Sequence, residues 1–163
     1  MKKISVELSW ALIFAAVSLL WMVFERLAGL HDTSIHKHAV FTNLFAIPAV
    51  AVYVFALLYK RKYSYNGTMS FRQGLVSGIV ITVFVVLLSP LVQLISLQLI
   101  SPSYLQNMAE YAVSSGIMGV EESAAYFSVR NYVLQSLAGA AMMGVITSLI
   151  VALFTRSRTR KQV

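Results

Sequence analysis

The chain of 163 residues contains no cysteine. Disulfide bonds, thiolate nucleophiles, zinc–thiolate sites and iron–sulfur clusters are therefore excluded. Charged residues are also scarce: they make up 12% of the chain and apolar residues 58%, whereas about 25% charged residues is usual in soluble domains. A soluble domain of this size has too much surface for its volume to bury so much hydrocarbon. The composition therefore predicts a protein that lies in a lipid bilayer.

Ionisable residues are missing from the middle of every long apolar segment. Such residues are costly within hydrocarbon, so membrane enzymes and transporters keep them there for a function. The chain also lacks the GxSxG, HExxH, GxxxxGK(S/T) and GxGxxG patterns of common catalytic and nucleotide-binding sites. We therefore expect a protein that is not an enzyme and has no cofactor.

Four apolar segments are long enough to cross a hydrocarbon core of roughly 30 Å as helices of about 20 residues. They cover about residues 8–24, 39–59, 71–100 and 132–154. Residues 101–131 separate the last two, and their helical spacing of apolar side chains predicts a short amphipathic helix on the outer surface. The predicted fold is all-α: a single transmembrane domain over residues 1–163, built as a four-helix bundle.

Basic residues are divided unequally between the two ends of these segments. Ten lie at the ends nearest the termini: Lys2, Lys3, Lys60, Arg61, Lys62, Arg72, Arg156, Arg158, Arg160 and Lys161. Three lie at the opposite ends: Arg26, Lys37 and Arg130. Because lysine and arginine are retained on the cytoplasmic side of a membrane, this asymmetry predicts that both termini are cytoplasmic.

Two clusters of basic residues directly follow apolar segments on that side. They comprise Lys60, Arg61 and Lys62 after the second segment, and Arg156, Arg158, Arg160 and Lys161 after the fourth. Each such charge gains roughly 1 kcal/mol beside anionic lipid headgroups. So few charges without a folded reader domain would bind nucleic acid only unspecifically. Anionic lipids are therefore the predicted partners of these clusters, and nucleic acid is not.

Small residues recur at every fourth position in the last two apolar segments. They are Gly74, Gly78 and Thr82 in the third segment, and Ala140, Gly144 and Ser148 in the fourth. This spacing puts small residues on one helix face, which allows close helix packing in lipid. Consecutive spans are antiparallel, so we expect the two stripes to meet. The alternative is that glycine is simply common in transmembrane helices.

All three histidines of the chain lie within eight residues, in the loop between the first two apolar segments. His36 and His38, with His31 or Asp32, could supply three nitrogen or oxygen ligands to Zn²⁺ or Cu²⁺. Their spacing matches no standard metal motif. The alternative is that Asp32 or Thr33 caps the second helix and that the histidines are solvated.

Three short segments carry a family resemblance. They are Gly29-Leu30-His31-Asp32, the run of residues 66–74, and Ser101-Pro102-Ser103-Tyr104-Leu105. In this order, and with a last helix that is rich in small residues and ends in a basic tail, the chain resembles a family of small bacterial membrane proteins known as domain of unknown function 4199. The resemblance covers nearly the whole chain. It implies four transmembrane helices in a bacterial cytoplasmic (inner) membrane, and it implies no site residues because the family has no assigned function.

The predicted function is that of a non-enzymatic membrane component, which acts through contacts with lipid, other membrane proteins or further copies of itself. The alternative is a small oligomeric transporter or channel. That alternative needs a polar pathway, for which the available side chains are Asn43, Gln93, Gln98 and Gln135.

Overall fold

The computed structural model describes residues 4–157, which form helices and no strand. The α-helices are α1 (Ile4–Leu27), α2 (Ile35–Phe41), α3 (Ala46–Tyr63), α4 (Phe71–Ile95), α5 (Tyr104–Ser114), α6 (Val120–Tyr126) and α7 (Val129–Thr155). A 3-10 turn, Thr42–Phe45, joins α2 to α3, and a π turn, Ser96–Ile100, extends α4. The all-helical fold predicted from the sequence is confirmed.

Four helical stretches are long and apolar enough to cross a membrane: Val6–Leu27, Ile35–Tyr63, Phe71–Ile100 and Val129–Thr155. Each contains one of the four segments predicted from hydropathy. Three of the four extend by several residues beyond those segments, because a helix continues into polar sequence as long as no residue breaks its hydrogen bonds. The first span, for example, ends at Leu27 rather than at Phe24.

Proline explains one irregularity in the spans. Pro48 has no N–H to donate to the carbonyl of Leu44, four residues earlier. The chain winds as a 3-10 turn just before it, over Thr42–Phe45. This turn joins α2 and α3 into one span that does not follow a single uniform helix.

One end of the bundle carries the first and last described residues and the loop between α3 and α4; we call it the termini end. The end of α7 and the residues just after it are hydrogen-bonded to that loop and to α3. The backbone N–H of Ser157 donates to the carbonyl of Met69 over 2.8 Å, and the N–H of Met69 donates to Ser157 Oγ over 3.0 Å. Arg61 donates to the carbonyl of Thr155 over 3.0 Å. The loop itself turns at Asn66 and Gly67, both of which have positive φ.

The packed core lies in the half of the bundle nearest the termini end. Its buried members come from α1, α3, the loop before α4, α4 itself and α7, and are Ala11, Tyr53, Ala56, Leu57, Met69, Ile81, Val85, Val151 and Ala152. At the opposite end, which we call the far end, α5 packs against the bundle and buries Tyr104, Leu105 and Ala112.

The segment between the third and fourth spans contains two helices rather than the one predicted. Gly116, at φ +69°, ends α5 in a left-handed backbone conformation. Glycine suits this position because residues with a side chain rarely adopt that conformation. The second helix, α6, is tied back to α5 by Ser123, whose buried hydroxyl donates to the carbonyl of Ala109 over 3.0 Å.

Candidate functional site at the far end of the bundle

Three ionisable side chains meet in a buried cluster where the first two spans approach α5. Glu25 lies in the last turn of α1, His31 in the following loop and His38 in α2. Glu25 Oε2 is 3.4 Å from His31 Nε2 and 3.8 Å from His38 Nε2. The exposed fractions of the three residues are 0%, 1% and 8%. We call these residues the Glu–His–His cluster.

The loop conformation brings the cluster together. Gly29 has φ +73°, which reverses the chain directly after α1. The backbone N–H of Leu30 bonds to the carbonyl of Glu25, and that of Ser34 to the carbonyl of Gly29. This tight reversal places His31 beside the carboxylate six residues before it. A side chain at Gly29 would strain this φ and meet Thr33 Oγ1.

Neighbouring side chains hold the carboxylate of Glu25 from one side. Trp21 Nε1 donates to Glu25 Oε1 over 2.8 Å, and the hydroxyl of Thr42 also hydrogen-bonds to this carboxylate. Asn107 of α5 donates to the backbone carbonyl of His31 over 2.8 Å. The cluster and its surroundings are therefore built by residues from α1, the loop after it, α2, the 3-10 turn and α5, and the Trp21 bond leaves Oε2 facing the two imidazoles.

Tyr104 covers the two imidazole rings. Its ring centroid lies 4.7 Å from that of His31 and 5.2 Å from that of His38. Its hydroxyl lies 3.4 Å from His38 Nε2 and is hydrogen-bonded to Tyr132. Burial raises the pKa of the Tyr104 phenol, and a nearby Tyr132 reinforces the effect. The phenol is therefore neutral at physiological pH.

The structure brings together only two of the four residues predicted as metal ligands. His31 and His38 belong to the Glu–His–His cluster, whereas Asp32 and His36 are exposed and lie outside it. The carboxylate of Asp32 accepts a bond from the N–H of Thr33 in its own turn. The solvated state considered for all three histidines is wrong for His31 and His38, because α5 and its Tyr104 cover them.

Glu25 was missed as a member of the site. In the sequence it closes an apolar segment beside Arg26 and resembles an ordinary interfacial residue. The available signal was that Glu25 lies only six residues before His31 in the sequence, with Gly29 between them. Spacing alone does not show that the chain reverses there.

A cavity of about 840 Å³ lies among the four spans, between the core and the Glu–His–His cluster. Most of its lining is apolar, with Phe14, Leu88, Val92 and Met143 as examples. Its polar lining residues include Trp21, Thr42, Asn43, Gln93, Tyr132, Gln135 and Ser136. Trp21, Thr42 and Tyr132 therefore connect the two features, because each lines the cavity and also belongs to the hydrogen-bonded surroundings of the cluster.

Three of the four side chains considered for a polar pathway line this cavity: Asn43, Gln93 and Gln135. Gln98 is exposed and does not. The Oε1 atom of Gln93 is buried and has no hydrogen-bond partner among residues 4–157. Toward the termini end the cavity stops at the core, where Leu57, Ile81 and Val151 are buried.

The small-residue positions of α4 and α7 face each other in antiparallel order. A Cβ built on Gly78 would lie 2.8 Å from the Cβ of Ser148, and one built on Gly144 would overlap the side chain of Thr82. Gly74 faces Ala152, one turn beyond the predicted stripe, and Ala140 packs against the edge of the core. The hydroxyls of Thr82 and Ser148 are 3.3 Å apart, and that of Tyr53 is 2.8 Å from Thr82 Oγ1.

The basic residues predicted to contact lipid headgroups differ in position. Lys60 does not suit that role, because it is only 3% exposed and forms a buried ion pair with Glu7. Arg61 is half-buried, whereas Lys62 and Arg156 are exposed. Arg158, Arg160 and Lys161 lie outside the described residues.

Comparison with protein families identifies one family that matches the chain. A family model described as "Protein of unknown function (DUF4199)" matches residues 9–157. The chain belongs to this family. The match confirms the resemblance noted from the sequence, and it contains the whole Glu–His–His cluster and every residue that lines the cavity. No curated protein and no solved structure matches the chain.

Proposed function

We propose that this protein is a non-enzymatic, multi-pass component of the bacterial cytoplasmic membrane that binds a lipid chain in the cavity among its four spans. The cavity is the observation that carries the proposal. Its volume of about 840 Å³ falls within the range of roughly 300–1,000 Å³ typical of small-molecule sites. Its lining comes from all four spans, so a molecule bound there would contact the whole bundle.

The distribution of polar groups favours an amphipathic occupant. Apolar residues such as Phe14, Leu88 and Met143 line the cavity and suit an acyl chain. Gln93 and Gln135 lie on the far-end sides of α4 and α7 and could bond to a polar headgroup. The unpartnered Gln93 Oε1 supports this orientation, because a buried carbonyl oxygen normally accepts a hydrogen bond.

The packed core argues for binding over conduction. A channel or transporter needs a path to both membrane surfaces, whereas Leu57, Ile81 and Val151 fill the bundle below the cavity. The buried pair of Glu7 and Lys60 lies further toward the termini end. The transporter alternative nevertheless keeps one supporting observation, since Asn43, Gln93 and Gln135 line the same cavity.

Native mass spectrometry of the protein, purified in mild detergent from bacterial membranes, tests lipid binding. We expect about one retained lipid per chain in the wild type. Gly139→Leu should reduce this occupancy, because Gly139 lines the cavity and a Cβ there meets no protein atom within 4 Å, so the added side chain takes up space in the cavity. Leu149→Phe is the matched control, since Leu149 is exposed on the same helix and does not line the cavity. Equal lipid retention by the two variants would contradict the proposal.

A liposome flux assay separates the alternative from the proposal. We expect no saturable transport of ions or small solutes by the reconstituted wild type. Specific, saturable flux that is lost in Gln93→Leu or Gln135→Leu would instead support a transporter.

We also propose that both termini face the cytoplasm, because in the sequence ten of the 13 basic residues flank the apolar segments on the same side as the termini. The absence of cysteine allows single-cysteine labelling in an unmodified background. Lys62→Cys and Gln106→Cys are suitable because both positions are exposed, at the termini end and the far end respectively. A membrane-impermeant maleimide added to spheroplasts should label position 106 and spare position 62. The reverse pattern would overturn the proposed orientation.

A further inference from the structure

We propose that Glu25, His31 and His38 bind one Zn²⁺ ion. Their ligand atoms all lie within 4.8 Å of one another, and all three side chains are buried. Two imidazoles and one carboxylate form a ligand set that zinc uses with a fourth, open position. The two nitrogen donors favour zinc over Ca²⁺ and Mg²⁺, which prefer oxygen ligands.

The charge of the cluster supports a bound cation. Glu25 is fully buried, and a buried carboxylate is costly unless a positive charge accompanies it. Among residues 4–157, its only ion-pair partners are the imidazoles of His31 and His38. A divalent cation would neutralise the carboxylate and still be bound by both histidines in their neutral form, which is the form that coordinates zinc.

Zinc binding requires small movements of Glu25 and a larger approach of the two imidazoles to each other. Bonds of about 2.0–2.1 Å around tetrahedral zinc place neighbouring ligand atoms about 3.3 Å apart. The observed separations from Glu25 Oε2 are 3.4 Å to His31 Nε2 and 3.8 Å to His38 Nε2. The cluster therefore has to contract by about 0.1 Å and about 0.5 Å along these two directions, and by up to about 1.5 Å between the two imidazoles, whose ligand atoms lie within 4.8 Å of each other.

Neighbouring side chains orient Glu25 and the backbone of His31. Trp21 Nε1 bonds to Glu25 Oε1 and so leaves Oε2 for the metal. Asn107 fixes the backbone of His31 through its carbonyl. The hydroxyl of Tyr104, 3.4 Å from His38 Nε2, lies where it could contact a fourth ligand such as water. His31 Nδ1 is buried without a partner among the described residues, so no protein acceptor in that part of the chain orients this ring from behind.

Titration of the purified, metal-stripped protein in detergent with Zn²⁺ tests the site. Isothermal calorimetry, with elemental analysis after dialysis, should give one tightly bound ion per chain. Glu25→Gln and His38→Ala should each weaken binding at least tenfold. His36→Ala is the matched control and should leave binding unchanged, because His36 is the one exposed histidine. Failure to bind one ion per chain, or loss of binding in His36→Ala alone, would overturn the proposal.

Co²⁺ binding can be measured on the wild-type protein, so this test does not depend on whether any variant folds. In the wild-type protein, Co²⁺ at a four-coordinate site of this kind should give strong visible absorption bands, which Zn²⁺ should abolish at one equivalent. A spectrum that stays that of hexaaquo Co²⁺ would show that the cluster is only a hydrogen-bonded network. The lipid assay above does not depend on this outcome, because Glu25, His31 and His38 do not line the cavity.

Discussion

Two glycines on the same helix should respond in opposite ways to alanine. A Cβ at Gly144 would overlap Cγ2 of Thr82 and lie 2.7 Å from its Oγ1. A Cβ at Gly139, five residues earlier on α7, would meet no protein atom within 4 Å. The two substitutions are chemically identical and occur in the interior of one helix, so they differ chiefly in the contact with α4.

The expected magnitudes follow from two effects. Alanine is favoured over glycine by up to about 1 kcal/mol within a helix, and this gain applies to both variants. Overpacking a tight contact costs about 1–3 kcal/mol, and this cost applies only to Gly144→Ala. We therefore expect Gly139→Ala to be neutral or slightly stabilised, and Gly144→Ala to be less stable than it by about 1–3 kcal/mol.

The free energy of unfolding can be measured by SDS titration in mixed micelles, with helical circular dichroism as the signal. Adding Thr82→Ala should partly restore Gly144→Ala, because it removes the two atoms that a new Cβ meets first. A double-mutant cycle should then give a coupling energy of about 0.5–3 kcal/mol. If Gly139→Ala and Gly144→Ala were equally stable, the close packing of α4 on α7 would be refuted.

The same titration checks three further predictions. Lys60→Met should destabilise the fold by about 3–5 kcal/mol because it leaves the buried Glu7 carboxylate without its cation, and Glu7→Leu in the same chain should recover most of that loss. Ser70→Ala removes the side-chain acceptor for the N–H of Gln73 at the start of α4 and should cost about 1 kcal/mol, whereas Ser103→Ala should cost less because Ser103 makes no side-chain cap bond. Burial raises the pKa of the Tyr104 phenol in the folded protein, so as the pH rises the unfolded chain loses this proton first. The free energy of unfolding of the wild type should therefore fall above about pH 10, the ordinary tyrosine pKa. Tyr104→Phe should show a weaker fall over the same pH range.

The spans could be predicted from the sequence because the signal is local. Every helix within a bilayer must satisfy its own backbone hydrogen bonds, so 20 consecutive apolar residues suffice to identify one. The small-residue positions were visible for the same reason, since their four-residue repeat lies within single helices. The sequence does not show which small residue of α4 faces which residue of α7. Gly74 faces Ala152 rather than a residue of the predicted stripe, and this pairing is set only when the two helices pack together.

The site could not be predicted because it depends on chain reversal and on cover from distant residues. Glu25 and His31 meet through the turn at Gly29, and Tyr104, some 70 positions later, closes over both histidines. Lys60 shows the same limit at the other end of the bundle. Its neighbours Arg61 and Lys62 mark it as part of a headgroup cluster, but its partner Glu7 lies on another helix.

The cavity and the Glu–His–His cluster share part of their structure, and this determines which variants can separate them. Trp21 lines the cavity and donates to Glu25, and Tyr132 lines it and bonds to Tyr104. Substituting either residue would disturb both features and could not assign a loss to one of them. Gly139 belongs only to the cavity, and His38 only to the cluster. A loss of bound lipid in Gly139→Leu with Zn²⁺ binding intact, and the reverse in His38→Ala, would therefore show that the far end carries two separable sites.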